Sequence, residues 1–492
     1  MNGLLIALAV VFAVLAVRYQ YFLLRHIEWG DESETVVTVK MMAAGQKLYS
    51  EIFNHHGPLT FLTGVVLEHF GDFGMRGHRV PVALLHLAGL LSIYFCPLFA
   101  SRAVKLGCVI FAASVMLFYL PELLGHTYTY QALTGTLLLT ILFLYTFPAL
   151  LEPERVTAAR SFTGSALIAG LPFLAVTYIP LALILFAVST RRQSLRPALA
   201  GLLAGLGANL LFLAAYGSIP GYLAYHLYLN LTILPGYINE AGADVLILKA
   251  VHSATKDIAQ FIYLTITAGG IAILASKERT LPWRSVLLGM GMASLLIRGS
   301  DFRGLPYYYA LIAFMLLPTL RVRAIGMQGK IIGVFFISVC IVKSSLLLPG
   351  ERYYFRERRI PTETEFSRLV QQYTDKEDRI IAYTFQNFQY LASDRLPASG
   401  HFFYFPWQEK YNDDPKYGIR IDACEQIAAN RPKVMLIDKW NVWNRFPWES
   451  YAGCIQAILD ADYTQIPGRP YYVRSDIYRP ETSSAAPADR TR

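Results

Sequence analysis

Apolar runs bounded by charge recur along the first 350 positions of this chain. One begins at Gly3 and continues to about Leu24, and others cover 80–100, 106–120, 131–148, 198–215, 258–275, 284–297, 306–320 and 331–348. A helix needs about 20 apolar residues to cross a bilayer, and these runs approach that length. The stretch from Ser161 to Thr190 is long for one span and short for two, with Pro172 and Pro180 interrupting it. It reads as two short helices meeting at the far side of the membrane. The pattern predicts a polytopic α-helical membrane protein of about 10–12 membrane helices. No Lys or Arg precedes the first run and no A-x-A site follows it, so that run is expected to be an uncleaved helix.

Two stretches break this rhythm. Residues 27–79 form a long external loop holding "ESETVVTVKMMAAGQKLY", with apolar residues at helical spacing, and "GPLTFLTGVVLEHF", apolar but too short to span. Both read as helices lying along the membrane surface. From about Gly350 the pattern becomes that of a soluble domain. "RIIAYT", "KVMLID" and "YYVRSD" read as strands, and "IDACEQIAAN" and "YAGCIQAILDA" as helices between them. The expected organisation is a membrane domain over 1–349, a small α/β domain over 350–480 and a disordered tail over 481–492.

Composition narrows the function classes. At 54% hydrophobic and 16% charged, the chain departs from soluble usage. Its net charge of +9 therefore belongs with cytoplasmic loops and lipid headgroups, not with nucleic acid. No glycine-rich phosphate loop of the Walker type and no zinc-finger spacing occurs. If the 161–190 segment crosses twice, internal loops carry Arg102, Lys105, Arg155, Arg160, Arg191, Arg192, Arg196, Lys277, Arg279, Arg284, Arg321, Arg323 and Lys330. That agrees with the positive-inside rule, leaving Arg18, Arg25 and the cluster at Arg352, Arg356, Arg358 and Arg359 as exceptions. A single crossing would instead make the C-terminal domain cytoplasmic. Cys96, Cys108 and Cys340 lie in or beside apolar runs and read as packing residues. Cys424 and Cys454 can form a disulfide if the C-terminal domain is extracytoplasmic, which the sequence leaves open.

Three external features offer chemistry: Asp31-Glu32, the pair His55-His56 before Gly57-Pro58, and "IRGSDFRGLPYYY" with Arg298, Asp301 and Arg303. Together they bring carboxylates, imidazoles and guanidinium groups to headgroup level. A carboxylate can take a proton from an attacking hydroxyl. Arginine forks match phosphate oxygens and stabilise charge developing on a leaving group. Transfer of a group from a lipid phosphate requires these functions.

The acidic pair after the first helix, then "AAGQKLYSEIFNHHGPLTF" and "GDFGMRGHRVP", resemble the GT-C superfamily of membrane glycosyltransferases. Relatives in that superfamily include the protein O-mannosyltransferases and the aminoarabinose transferases of lipid A. The resemblance covers the first hundred residues best. It implies an inverting transfer of a sugar from a polyprenyl-phosphate donor to a cell-envelope glycan or glycolipid. That activity would sit on the extracytoplasmic face of a membrane such as the bacterial inner membrane. Asp31 matches the family's general base, with Glu32 beside it. His56 falls where relatives carry Lys or Arg before a Pro-Pro pair. Arg303, Arg298, His56 and His55 are the candidates for the donor phosphate.

Each residue also has a structural reading. Asp31 and Glu32 can serve the N-terminus of the helix beside them, and Glu32 can orient Asp31. Glu34 reads as solvated, Arg79 as an interfacial anchor of the second helix, and His55 and His56 as interfacial residues. No third ligand at sensible spacing points to a metal site, so no metal or other cofactor is expected; Asp31 and Glu32 are the residues that could hold a divalent cation. Two other classes stand against the transferase: a flippase or solute carrier, and a non-catalytic envelope-assembly scaffold. A carrier would place its charges near the bilayer midplane, whereas these cluster at one interface.

Overall fold

The computed structural model describes residues 2–479, apart from 29, 120–124, 239–257, 278–281, 297–304, 322–325, 328, 330, 332, 336–337, 339–359 and 386. The chain divides into two compact units. One holds Met1–Ser50, Asn54–Ile360 and Lys416–Ile419; the other holds Glu51–Phe53, Pro361–Pro415 and Arg420–Arg492.

The first unit is helical. Helix α1 (Asn2–Leu23) packs Phe12, Tyr19 and Leu23 against Ile110 and Ala113 of α5 (Arg102–Tyr119). Helices α2 (Gly30–Ala43) and α3 (Leu59–Glu68) occupy the loop between α1 and α4 (Met75–Tyr94). Both form where periodicity places them, but α2 does not lie on a surface. Its residues Val36, Val37, Val39, Met41 and Met42 are buried, and so are Glu32, Glu34, Thr35 and Thr38 on its other sides. A polar helix enclosed this way must bond its side chains inside the unit.

Helix α6 (Tyr130–Ile141) runs through a wide π-helical turn, Leu142–Thr146, into α7 (Phe147–Leu151). Between α8 (Ala158–Gly170) and α9 (Ile179–Ser189) the chain makes short 3-10 turns at Leu171–Phe173 and Val176–Tyr178. The 161–190 segment is thus two helices, with Pro172 and Pro180 each in the opening turn of an element, where a missing N–H costs nothing. Helix α10 (Leu195–Tyr216) lies on α8 at Gly201 and Gly205, where a Cβ would run into the carbonyls of Phe162 and Ala166. Later helices span Ile258–Lys277, Pro282–Ala293 and Leu305–Leu316.

Among the described residues, two helices are long and apolar enough to cross a membrane, Tyr130–Leu151 and Arg192–Tyr216. The first is 83% buried and central, the second only 28% buried. Much of the apolar surface faces outward in helical register: Val10, Val14 and Val17 on α1, Leu84, Leu87 and Leu91 on α4, and Leu199, Leu203 and Leu210 on α10 are exposed. The expected span at 331–348 and the expected tail at 481–492 lie wholly or mostly outside the described residues.

One end of this unit is held by arginines. Arg160 and Arg155 donate to the carbonyls of Phe95 and Pro97 just after α4. Arg191 and Arg321 donate to those of Ala149 and Leu151 in α7, and Arg284 to those of Val188 and Thr190 at the end of α9. Arg155 and Arg321 also pair with Glu152. Guanidinium groups on terminal carbonyls satisfy the acceptors that a helix leaves open and meet the negative end of its dipole.

The second unit holds a mixed four-stranded sheet in the order β1 (Ile381–Tyr383), β2 (Val434–Ile437), β4 (Tyr471–Arg474), β3 (Tyr463–Gln465). β1 and β2 are parallel; β2–β4 and β4–β3 are antiparallel. Both parallel strands are buried throughout, as their unbroken apolar runs predict. Helix Glu365–Tyr373 starts at a reciprocal cap between Thr364 and Ser367, and Asp422 caps Ala423–Asn430 through the amide of Glu425. Cys424 and Cys454 form a disulfide across a Cα separation of 6.2 Å, joining Ala423–Asn430 to Gly453–Asp462. Residues Glu51–Phe53 of the 27–79 loop belong here: the Phe53 amide donates to the Gly400 carbonyl at 3.0 Å, and its ring lies against His401.

Candidate functional site

The acids at the mouth of the first helix all lie on α2, and the helical twist sends them apart. Asp31 and Glu34 share one side, a turn apart, while Glu32 projects about 100° away from Asp31.

Glu32 is sealed from solvent and accepts from Arg79 of α4 at both oxygens, from Nε at 2.7 Å and Nη2 at 2.5 Å. The backbone amide of Tyr128 donates to the same carboxylate at 2.8 Å. The Arg79 guanidinium also donates to the carbonyls of Leu23, His26 and Ile27, which end α1 and follow it. One buried ion pair thus ties α1, α2, α4 and the chain before α6. Tyr128 extends the tie, its hydroxyl bonding the Thr60 carbonyl at 2.6 Å and the Gly64 amide at 2.9 Å on α3. Arg79 is an internal clamp and not the interfacial anchor its sequence position implies.

Asp31 is only partly buried. Gln131, at the start of α6, points its side-chain amide at the Asp31 carboxylate at 3.4 Å. A carboxylate in the first turn of a helix is favoured by the dipole, so Asp31 serves the helix end.

Glu34 is buried, contrary to the solvated position expected of it. Burial first, and repulsion from Asp31 second, push its carboxyl well above the usual range, against a hydrogen bond from Asn54. Its Oε1 lies 3.5 Å from Nδ1 of the buried His56. His55 packs on His56 with ring centroids 4.4 Å apart, and His56 packs on Tyr130 at 4.8 Å. One ligand atom from each of Glu34, His55 and His56 lies within 4.8 Å of the others. The His55-His56 pair therefore has a third potential ligand that spacing along the chain conceals.

The turn carrying the histidines is fixed by its backbone. The His56 amide donates to Asn54 Oδ1 at 2.8 Å, and Asn54 Nδ2 donates to Thr38 of α2 at 3.0 Å. Tyr49 donates its hydroxyl to the His56 carbonyl at 2.5 Å, and Asn230 donates to that of His55 at 2.7 Å. Gly57 follows: its amide donates to the Leu174 carbonyl at 3.1 Å, and a Cβ there would overlap the Phe173 carbonyl. That contact accounts for glycine at this position and dictates that His56 is presented from a rigid turn.

Two more acids bound the site. Burial, with repulsion from Glu32 second, raises the Glu28 carboxyl to about 8. Glu68 at the end of α3 meets Lys40 and His78, each at 3.1 Å. These partners outweigh its burial and hold its carboxyl below the usual value.

From the sequence-derived set, the structure places His55 and His56 beside Glu34, on the side of α2 that Asp31 shares, and turns Glu32 away onto Arg79. Arg298, Asp301 and Arg303 lie outside the described residues. Glu34, Gln131, Tyr128 and Asn230 were not singled out as contributors by the sequence. The site stands at the beginnings of α4 and α6, whereas the arginine-held carbonyls stand just beyond the end of α4 and within α7. Twenty residues of α4 put about 30 Å between those ends.

The chain matches no family model and no curated protein. Its fold is similar to that of the archaeal oligosaccharyltransferase AglB from Archaeoglobus fulgidus, solved in complex with an inhibitory peptide and a dolichol-phosphate. The likeness covers 98% of this chain and 75% of that one, at 10% sequence identity and a TM-score of 0.47. It is a likeness of overall fold.

Proposed function

We propose that this chain is an integral-membrane inverting glycosyltransferase that moves a sugar from a polyprenyl-phosphate donor to a cell-envelope glycan or glycolipid. The observation that carries the proposal is the contrast between two neighbouring acids. Glu32 is sealed onto Arg79, whereas Asp31 is only partly buried at a rigidly held helix start. In the proposed reaction the acceptor hydroxyl attacks the anomeric carbon as its proton passes to Asp31. The bond from that carbon to the phosphate oxygen breaks, and polyprenyl phosphate leaves from the opposite face. Glu32 acts as a positioning residue through α2. Arg303 and Arg298 are proposed to meet the charge that develops on the phosphate, with His56 and His55 nearby.

Three observations support the membrane setting and its orientation. Apolar faces on α1, α4 and α10 point outward in register, as lipid-facing helices do. The arginine-held end lies opposite the acids, so the positive-inside rule directs the acids outward. The Cys424–Cys454 disulfide favours an oxidising, extracytoplasmic compartment for the C-terminal unit.

The test is mass spectrometry of envelope glycans and glycolipids from a deletion strain complemented with wild type or Asp31→Asn at matched membrane abundance. The transferase reading expects one sugar unit to vanish in the deletion, return with wild type and stay absent with Asp31→Asn. Full restoration by Asp31→Asn removes Asp31 as base and turns the reading towards a carrier or scaffold.

A further inference from the structure

We infer that Glu34, His55 and His56 form a binding site for one divalent transition-metal ion, with Zn2+ the best match. This goes beyond the transferase reading and does not depend on the role of Asp31.

The donor set comes first. Two imidazoles and one carboxylate are what zinc takes when it keeps a position open for a further ligand. A tetrahedral ion with bonds of about 2.0–2.2 Å holds its ligand atoms roughly 3.3–3.5 Å apart. Glu34 Oε1 and His56 Nδ1 are already 3.5 Å apart, and all three ligand atoms lie within 4.8 Å of one another. Side-chain rotation of His55, the partly exposed member, closes the rest.

The second support is the shell around the ligands. The backbone of each histidine is held by side chains from elsewhere, namely Asn54, Tyr49 and Asn230. Asn54 is anchored on Thr38, one turn along α2 from Glu34. The two arms of the site, a helix and a turn distant in sequence, are thus braced against each other by one amide. Such outer partners orient ligands before the ion arrives.

The third support is the carboxylate. Glu34 Oε1 is buried and, among the described residues, forms no hydrogen bond, meeting His56 Nδ1 at the longer ion-pair distance of 3.5 Å; such an oxygen is costly to bury with no further purpose. A divalent ion bound there supplies the missing partner. Its open position is reached past His55 and suits an oxygen of a phosphate or hydroxyl.

The test uses the full-length protein in detergent, stripped with a chelator and titrated with Zn2+ and separately with Co2+. We expect about one equivalent of Zn2+ bound, and a Co2+ form with the intense visible bands of a tetrahedral site. Changing outer partners of metal ligands costs about 10–100-fold in affinity. His55→Gln, at the partly exposed position, is therefore expected to weaken binding by at least about ten-fold, and Glu34→Gln likewise. Thermal unfolding of each stripped variant shows that it is folded. Asn54→Ala should weaken binding without removing a ligand. Asp31→Asn should bind as wild type does, so loss of transfer and loss of metal are separable. Stoichiometric binding that survives in the His55→Gln/Glu34→Gln double variant overturns the proposal. So does a stripped, folded wild type that takes up no more than a small fraction of an equivalent.

Discussion

Arg79 closes on Glu32 with two of its nitrogens, pairing a side chain of α4 with one of α2 where neither touches solvent. The geometry is bidentate, and the remaining guanidinium donors reach the carbonyls at the end of α1 and just beyond it. Breaking such a pair from one side leaves the other charge buried and uncompensated, at a cost of about 3–5 kcal/mol. Arg79→Ala should therefore lower the unfolding temperature sharply, and Glu32→Gln with Arg79 intact should do so too. Arg79→Lys should recover only part, because a point charge cannot reproduce the fork. Thermal unfolding in detergent reads all three.

Asp31→Asn should leave the unfolding temperature near that of wild type while removing the proposed general base. That base is worth about 10²–10⁴ in rate. Transfer to an acceptor by purified protein, with abundance matched, measures the difference. Gln131→Ala should give a smaller loss by freeing the carboxylate it holds, at little cost to the fold.

Glu28 sets a pH dependence. Its carboxyl is raised to about 8 by burial first and then by Glu32, with Arg79 and Ser33 opposing. In the unfolded chain it titrates near 4.5. A group whose pKa is raised on folding stabilises fully below the unfolded value, and that contribution is lost as pH climbs through the folded one. Stability should thus fall between pH 4.5 and 8 by up to about 1.4 kcal/mol per unit traversed. Glu28→Gln should flatten that decline; an unchanged slope of unfolding temperature against pH would remove Glu28 as its source.

The disulfide offers a reading of compartment and of stability. Cys424 and Cys454 are 30 residues apart, a loop whose closure contributes roughly 3–4 kcal/mol in the chain-entropy account. Cys454→Ser should lower the unfolding temperature of the C-terminal unit. Alkylation before and after reduction should find this pair oxidised in cells and Cys96 and Cys108 reduced, as their free, buried thiols imply.

Much of the helical plan was legible because apolar runs and proline positions speak locally. The two helices between 158 and 189 follow from Pro172 and Pro180, and the buried strands Ile381–Tyr383 and Val434–Ile437 from unbroken apolar triplets and quartets. β3 escaped notice because Tyr463–Gln465 is short and its inward face is one tyrosine. The site was half legible. Asp31 and Glu32 stood out as acids, and the twist between adjacent helical positions already implied that they face different partners. Glu34 did not stand out, because its neighbours in space, His55 and His56, are some twenty positions away. A charge next to "TVVTV" reads as solvated until the helix is enclosed. Nothing local could mark Tyr128 or Asn230, whose roles come from contacts made across the unit.

The arginines that close the far ends of α4, α7 and α9 have an electrical consequence. Arg155, Arg160, Arg191, Arg284 and Arg321 bring five guanidinium charges, and among the described residues Glu152 is the acid paired with them, which leaves a net of four positive charges in this group. In a membrane held negative inside, moving one elementary charge across 100 mV takes about 2.3 kcal/mol. In the proposed orientation, four of them would make the voltage itself a lock on how the helices insert: an inverted copy would hold its arginines against the field, and an energised membrane would disfavour it more strongly than a de-energised one.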